Sequence, residues 1–238
     1  MFEELPWDTA CFGFKVAVWK GPPTALGGAS IPSALRAAGV RLLYVFTEAT
    51  GPDVELKTAG AVWVDDKVLF AKAGLAERPP WEALPAPVGD PGEGLRSLAF
   101  ESGRHSRFRT DPRMPEACFR ALYEAWIVRS CRREIADEVL ISGPVADPEG
   151  MVTVQAEQAV ARIGLIAVRP DAQGRGLGRG LVFAAEAWAK ARGLDRMEVA
   201  TQGANVAACA LYARCGYEVV RRQGVYHLWI DSEAPWQT

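Results

Sequence analysis

The chain has 238 residues, of which 49% are hydrophobic and 24% charged, and its formal net charge is −2. This nearly balanced charge disfavours binding to a nucleic-acid backbone, which takes a strongly basic face. The apolar runs are shorter than the roughly 20 residues of a membrane-spanning helix. The acidic start Met1–Pro6 also lacks the basic segment that opens a secretory signal. We therefore expect a cytoplasmic protein without nucleic-acid or membrane partners.

The five cysteines and two histidines narrow the possible chemistry further. The cysteines are odd in number and show no C-x-x-C spacing, so we expect free thiols and neither a disulfide framework nor a metal site. His105 stands beside Ser106, but adjacency in sequence is not the geometry of a hydrolase triad. His227 lies on a predicted strand, where a structural role is favoured.

The residue pattern of the N-terminal part predicts a small α/β unit. Its predicted elements are strands at Gly13–Trp19 and Arg41–Phe46, helices at Pro32–Ala38 and Asp53–Thr58, and a β-rich stretch at Ala61–Lys72. A Pro/Gly-rich stretch that includes Arg78-Pro79-Pro80 follows and is typical of a linker. We predict an N-terminal domain over residues 1–73, a linker over 74–93 and a larger domain over 94–238.

In the larger part, strands alternate with helices, and this order predicts an α/β domain with a mixed, partly parallel sheet and helices on its faces. Its predicted helices are Gly94–Ser102, Pro115–Cys131, Leu177–Arg192 and Val206–Arg214, and its predicted strands are Glu138–Ser142, Met151–Ala156, Arg162–Val168 and Arg196–Thr201. A hairpin is expected at Tyr217–Ile230. Its exposed edge would allow two copies to pair as a homodimer.

One stretch of the N-terminal part echoes the C-terminal part. Gly39–Thr47 parallels Gly193–Thr201, and each stretch is followed by a helix, a glycine and a β-rich segment. One hypothesis is that the N-terminal part is a truncated copy of the C-terminal half. Chance similarity between two α/β units explains the echo equally well.

The segment Ile163–Gly180 carries the clearest chemical signal. An apolar strand enters a glycine-rich loop that opens directly into a long helix. Glycines allow backbone N–H groups to approach a ligand closely, and the helix N-terminus favours an anion such as a pyrophosphate. Arg175 and Arg179 add positive charge. The loop matches neither a Walker motif nor a full dinucleotide fingerprint.

The spacing Gln173-x-x-Gly176-x-Gly178 resembles the [QR]-x-x-G-x-[GA] loop of the GNAT acyltransferase superfamily, and the resemblance continues from Ile163 to Trp229. It implies an α/β GNAT fold with a mixed central sheet, preceded by a smaller α/β domain, and acetyl-CoA as co-substrate. The cofactor-binding residues that it implies are Ile166, Ala167, Val168, Gln173, Gly174, Arg175, Gly176, Leu177, Gly178, Arg179, Asn205 and Tyr212.

The same resemblance suggests roles for Tyr212, in the predicted helix Val206–Arg214, and for Asn205, just before that helix. Asn205 contacts the cofactor or orders the local loop. Tyr212 lies near the CoA sulfur as a general acid, because a phenol can hydrogen-bond or protonate a leaving thiolate. Spacing alone fits a core aromatic of an amphipathic helix equally well.

Two further segments resemble dTDP-fucosamine acetyltransferases and their relatives. They are Leu5–Phe14 and the block that begins Ser106-Arg107-Phe108-Arg109. Members of that family acetylate the 4-amino group of a nucleotide-linked 4-amino-4,6-dideoxyhexose. Arg107 and Arg109 would suit the substrate's diphosphate, because guanidinium groups pair with phosphate oxygens. A solvated or helix-capping basic turn is the alternative.

A base is needed to take a proton from the incoming ammonium. Asp65 is our candidate, since relatives carry an acidic residue facing the sugar pocket at this place. An exposed turn at Asp65-Asp66 is the alternative interpretation, and Glu157 is a weaker candidate. We expect direct transfer in a ternary complex, with the Val168 N–H stabilising the oxyanion.

Two other functions remain open at this level. A GNAT enzyme could act on a different amine, such as a peptide N-terminus, a polyamine or an antibiotic. A non-catalytic GNAT fold could bind acyl-CoA as a sensor or scaffold.

Overall fold

A computed structural model describes residues 1–27, 30–76 and 83–230. Up to residue 76 the elements are β1 (Phe2–Glu4), α1 (Pro6–Phe12), β2 (Lys15–Trp19), a short 3₁₀ helix (Pro23–Gly27), α2 (Ser30–Ala37), β3 (Val40–Thr47), α3 (Val54–Thr58) and β4 (Val62–Ala73). The β-rich stretch expected at Ala61–Lys72 is therefore one long strand.

The second part carries the remaining elements. They are β5 (Leu84–Pro85), α4 (Glu93–Ser102), α5 (Arg107–Thr110), α6 (Glu116–Cys131), β6 (Glu138–Ser142), β7 (Gly150–Glu157), β8 (Val160–Val168), a 3₁₀ turn (Pro170–Ala172), α7 (Leu177–Lys190), β9 (Arg196–Gln202), α8 (Val206–Arg214) and β10 (Glu218–Trp229). Among the described residues, none of these helices combines the length and apolarity that a membrane span requires.

All ten strands form one mixed sheet in the order β1-β2-β3-β10-β4-β9-β8-β7-β6-β5. The α/β class with a mixed sheet is thus confirmed. The sheet continues across the predicted linker, and Leu84–Pro85 within that linker pairs with β6. Residues 78–80, which suggested the linker, lie outside the described ranges.

The hairpin expected at Tyr217–Ile230 is wrong. β10 is a single strand that pairs antiparallel with β3 on one side and β4 on the other. Within β10, a Cβ at Gly224 would lie 2.6 Å from the Ala49 carbonyl oxygen. This glycine therefore permits close approach of a neighbouring chain segment. Residues 224–227 of β10 are paired on both sides, whereas residues 218–223 pair with β4 alone.

The residue pairs between β4 and β10 are arranged symmetrically about the middle of their ladder. Lys67 pairs with Gln223 at the middle of the ladder, and Val62 with His227 and Ala71 with Glu218 near its ends. The two neighbouring ladders correspond to each other. Trp229 at the end of β10 lies opposite Leu42 of β3, and Ala73 at the end of β4 lies opposite Arg196 of β9. Each half thus inserts its last strand beside the other half. This strand order agrees with the hypothesis of a truncated internal copy.

Helices cover both faces of the sheet. Side chains of α1, α4, α5 and α6 form one apolar cluster with alternate residues of β2, β3, β6 and β8. Helices α7 and α8 pack on the opposite face at one half of the sheet, and a third cluster around Leu35 and Leu56 packs at the other half. On α7, Leu181, Ala185 and Trp188 are buried at helical spacing, which explains why this helix docks by one face.

Candidate active site

The site is built where two parallel strands separate. β8 and β9 pair only between Ala161–Ile163 and Met197–Val199, although both strands continue further. The other edge of β8 stays paired with β7 as far as Val168. The β8 edge that faces the split therefore presents backbone N–H and C=O groups that an extended ligand can satisfy.

A cleft of about 710 Å³ opens at this split. It runs between the glycine-rich loop, helix α8 and the end of α4. Almost all residues that the sequence suggests for acetyl-CoA line it, namely Ile166, Ala167, Val168, Gln173, Gly174, Gly176, Leu177, Gly178, Arg179, Asn205 and Tyr212.

The loop owes its shape to two left-handed glycines. Gly174 has φ of 77° and Gly176 has φ of 85°, and Gly176 is the N-cap of α7. The Gln173 Nε2 donates to the Val168 carbonyl oxygen at 3.1 Å and ties the loop to the strand end. The N-terminus of this 14-residue helix thus faces the cleft. The positive end of the helix dipole favours an anion bound at the rim of the cleft.

The cations around the cleft differ in part from those that the sequence suggests. Arg179 lines the cleft, whereas Arg175 does not and instead pairs with Glu149 at 2.8 Å. Arg104, His105 and Arg214 also line the cleft. Sequence reasoning missed these three because only the sheet brings the end of α4 and the last turn of α8 to the loop.

Helix α8 presents Asn205 and Tyr212 to the cleft. The Asn205 side chain caps the helix by accepting from the Ala208 N–H at 3.1 Å. Tyr212 is 1% exposed, and its ring lies 5.5 Å from the ring of Phe70. Burial raises the pKa of Tyr212 well above its usual value of about 10. Its hydroxyl therefore stays protonated at neutral pH and is a donor.

A second cavity of about 270 Å³ adjoins the cleft through residues common to both, among them Ile166, Asn205 and Tyr212. Its other walls come from β4, from α5 and α6, and from β9 beyond the split. Asp65 and Arg107 both line it. The cavity therefore lies at the same split as the cleft but draws its charged groups from the N-terminal part and from α5.

Asp65 is a buried carboxyl whose charge is tuned by its surroundings. It is 8% exposed, and burial raises its pKa to about 7, while the positive charge of Arg107 works in the opposite direction. It sits beside a bulge in β4, where Val225 and Tyr226 of β10 face Asp65 and Trp63. A carboxyl with a pKa near neutrality can accept and release a proton at physiological pH.

Arg107 is held by aromatic rings. Its Cζ atom lies 4.7 Å from the ring centre of Tyr44 and 4.3 Å from that of Phe108. The Arg107 Nε is buried, and no described residue accepts a hydrogen bond from it. The guanidinium is thus fixed at the wall of the cavity with hydrogen-bonding capacity unused.

Two further predicted site residues lie outside both cavities. Arg109 packs over the Phe119 ring and lies 3.8 Å from Glu116 on the surface. Glu157, the weaker base candidate, forms an ion pair with Arg162. The structure brings neither to Tyr212.

His227 takes part in a buried pair instead of lining a cavity. Its Nδ1 lies 2.7 Å from Asp111 Oδ2, and the Trp229 indole donates to the same carboxylate oxygen at 2.9 Å. Burial lowers the pKa of His227 and favours the neutral ring. This geometry suits a structural role.

Comparison with known proteins shows which family part of the chain matches. Residues 115–217 match the acetyltransferase (GNAT) family. A dTDP-fucosamine acetyltransferase of Escherichia coli O6:H1 is 38% identical over 127 residues, which are 52% of this chain and 54% of that protein. A mycothiol acetyltransferase of Thermobispora bispora is 26% identical over 206 residues, or 76% of this chain and 68% of that protein. The chain thus spans about half the length of the first of these relatives.

Solved structures support the fold over nearly the whole chain. A GCN5-related N-acetyltransferase from Sphaerobacter thermophilus aligns with a TM-score of 0.60 at 16% identity, covering 99% of this chain and 78% of that one. A functionally unknown protein from Staphylococcus epidermidis aligns at 0.64 with 12% identity, covering 94% and 89%. Residues 115–217 thus match the acetyltransferase (GNAT) family, and about half of the chain is similar to dTDP-fucosamine acetyltransferase.

Proposed function

We propose that the protein transfers an acetyl group from acetyl-CoA to the 4-amino group of a nucleotide-linked 4-amino-4,6-dideoxyhexose. The observation that carries this proposal is the meeting of two cavities at Tyr212. One contains the glycine loop, and the other contains a buried carboxyl with a pKa of about 7. Donor and acceptor can therefore be bound together on two sides of one split.

The reaction follows from these positions as direct attack in a ternary complex. Asp65 takes a proton from the acceptor ammonium, directly or through water, and the free amine attacks the thioester carbonyl. The C–S bond breaks, the protonated Tyr212 hydroxyl gives its proton to the departing thiolate, the amide nitrogen loses its remaining extra proton to solvent, and solvent restores Tyr212 and Asp65. The Val168 N–H, at the end of the separated strand, stabilises the oxyanion. The loop from Gln173 to Arg179 holds the CoA pyrophosphate.

A cysteine nucleophile is not needed for this route. Cys215 is buried, and the other cysteine of this region, Cys209, is half-buried with its thiol facing the Gln202 carbonyl oxygen at 3.7 Å. Desolvation raises the pKa of Cys209 and disfavours the reactive thiolate.

The sugar acceptor is supported by the 38% identical relative and by the chemistry of the second cavity. Arg107 offers a fixed guanidinium next to Asp65, which suits an acceptor that joins an amine to a phosphate group. The longer match to a mycothiol acetyltransferase favours a second candidate, an acetyltransferase with the acceptor of mycothiol acetyltransferases.

A substrate panel separates these candidates. The purified protein would be incubated with acetyl-CoA and dTDP- or UDP-linked 4-amino-4,6-dideoxyhexoses, and separately with the acceptor of mycothiol acetyltransferases, a peptide and a polyamine. Thiol release and product mass would be recorded. We expect one nucleotide sugar to be acetylated well above all other acceptors. Turnover of a non-nucleotide amine alone would discard the sugar acceptor and retain the acetyltransferase, and binding of acetyl-CoA without any turnover would favour a non-catalytic role.

A further inference from the structure

A polar groove crosses the middle of the sheet beside the second cavity. It has a volume of about 280 Å³ and shares Lys67, Ile163 and Ala200 with that cavity. The cavity that contains Asp65 therefore continues onto the open sheet surface. A ligand larger than an amino sugar can extend along this path.

The groove floor is made by one face of four neighbouring strands. Lys67 pairs with Gln223 on β10, and Leu69 lies between Arg221 of β10 and Ala200 of β9. Arg162 of β8 is paired with Glu198 of β9. Since adjacent strands lie about 4.8 Å apart, the four strands make the floor about 14 Å wide.

Positive charge converges on this floor from several elements. Lys67 and Arg221 come from β4 and β10, Arg162 from β8, and Arg107 faces Lys67 from α5. Partial burial and the positive charges of Arg107, Arg221 and Arg162 lower the pKa of Lys67, whereas Asp65 opposes them. An anion at this place would relieve that repulsion.

The carboxylates near the groove leave these cations accessible. Arg221 pairs with Glu48 at 2.5 Å, and both side chains are largely exposed. Arg162 contacts Glu198 at 3.5 Å and also pairs with Glu157. Exposed ion pairs are weak, so a bound phosphate can compete with Glu48 for Arg221.

We propose that this groove, through Lys67 and Arg221, binds a phosphate or diphosphate group of the acceptor while its amine lies at Asp65. The inference rests on the proposed function. It replaces the predicted contribution of Arg109, which lies outside both cavities, by cations that adjoin Arg107. The recognised chemistry is that of a nucleoside diphosphate.

The test uses the full chain and the variants Arg221→Gln and Lys67→Gln/Arg221→Gln. Lys20→Gln is the matched control, because Lys20 also forms an exposed ion pair, with Glu3 at 3.0 Å, and it lies just after β2, away from the groove. The ratio of kcat/KM for the nucleotide-linked amino sugar to kcat/KM for the same sugar as a neutral methyl glycoside would be measured. Calorimetry with dTDP, UDP and inorganic pyrophosphate would measure binding without turnover.

We expect the double variant to lower the kcat/KM ratio about tenfold or more, since two charge-assisted hydrogen bonds are lost. The KM for acetyl-CoA and the behaviour of Lys20→Gln should stay at wild-type values. An unchanged ratio in the double variant would overturn the inference.

Failure of the proposed function would look different. If the wild type acetylates no nucleotide sugar, but nucleoside diphosphate binds and binding is lost in the double variant, the anion groove stands and the sugar acceptor falls. If neither dTDP, UDP nor pyrophosphate binds to the wild type, the groove is a solvated sheet face and the inference is wrong.

Discussion

Two buried acids lie on either side of the point where acetyl transfer is proposed. Burial raises the pKa of both Asp65 and Tyr212, yet the results differ because their ordinary values differ. Asp65 reaches about 7 and can exchange a proton near neutrality, whereas Tyr212 stays protonated. One environment would thus supply both the proposed base and the proposed acid from two residue types.

Tyr212→Phe tests the acid. The change keeps the buried ring against Phe70 and removes only the hydroxyl, so we expect a folded protein with little change in Tm. Without a donor to the thiolate, kcat should fall about 10²- to 10³-fold, with little change in the KM for acetyl-CoA. Steady-state kinetics beside a thermal melt would check this. Near-normal turnover in a folded variant would refute the role.

Asp65 should control the pH dependence of the reaction. The carboxyl must be ionised to act as a base, so kcat/KM should rise with pH and level off above a midpoint near 7. Asp65→Asn should lower kcat about 10²-fold or more and remove this ionisation from the profile. A profile with the same midpoint in Asp65→Asn would assign it to another group.

The same residue should also limit stability. A carboxyl whose pKa is higher in the folded state than in the unfolded state stabilises the fold at pH below 3.8, and this contribution is lost as pH rises through about 7. Asp65→Asn should therefore gain stability relative to the wild type between pH 5 and pH 8, by about 2 kcal/mol after allowance for Arg107. Urea unfolding at the two pH values measures this difference. A constant difference would argue against an elevated pKa.

At the scale of elements, helix α7 connects the cleft proposed for acetyl-CoA to the core. Its start carries Gly176 in a left-handed conformation at the cleft, and Gly193, just beyond its end, has φ of 74° away from the cleft. Leu181, Ala185 and Trp188 anchor the helix between them. The loop is therefore positioned by a buried helix, which keeps its backbone N–H groups in place for an anion.

Gly176→Ala and Gly193→Ala form a matched pair. A Cβ at either position meets no other atom within 4 Å, so the cost of each change comes from backbone strain, about 1–2 kcal/mol. Both variants should lose similar stability, but only Gly176→Ala should raise the KM for acetyl-CoA, about tenfold. Thermal melts and initial rates would check this. Equal KM values in the two variants would contradict a cofactor role for the loop.

At the scale of the whole molecule, the two halves exchange strands. β10 contacts β3 and β4 of the N-terminal part, and β4 in turn pairs with β9. Lys72 of β4 also pairs with Glu186 of α7 at 2.8 Å, and that glutamate is fully buried. The cavity that contains Asp65 exists only when both halves are joined.

A fragment of residues 94–238 should consequently fail to fold alone. It would leave β10 without both of its partner strands and Glu186 without the ammonium of Lys72, a loss of about 3–5 kcal/mol for the ion pair alone. Circular dichroism and acetyl-CoA binding of the fragment, with the full chain as control, measure this. A cooperatively folded fragment would support 94–238 as an autonomous domain.

The sequence by itself determined which residues form the glycine-rich side of the cleft. Gln173, Gly176 and Gly178 are close in sequence, and an anion loop between a strand and a helix needs only local backbone geometry. The same holds for Asn205 and Tyr212, which lie two turns apart on one helix. Helix α8 and strand β6 have the predicted bounds because their periodicity and caps are local signals.

Only the tertiary structure decided the acceptor side. A hairpin was predicted where β10 is one continuous strand, and no local pattern reveals the close contact of Gly224 with Ala49. Arg107 and Arg109 are two residues apart, yet only Arg107 reaches the cavity. Lys67 and Arg221 meet through pairing of strands that are more than 140 residues apart in the chain. Long-range strand pairing sets these positions, and it depends on which strands become neighbours in the sheet, which short-range sequence patterns do not encode.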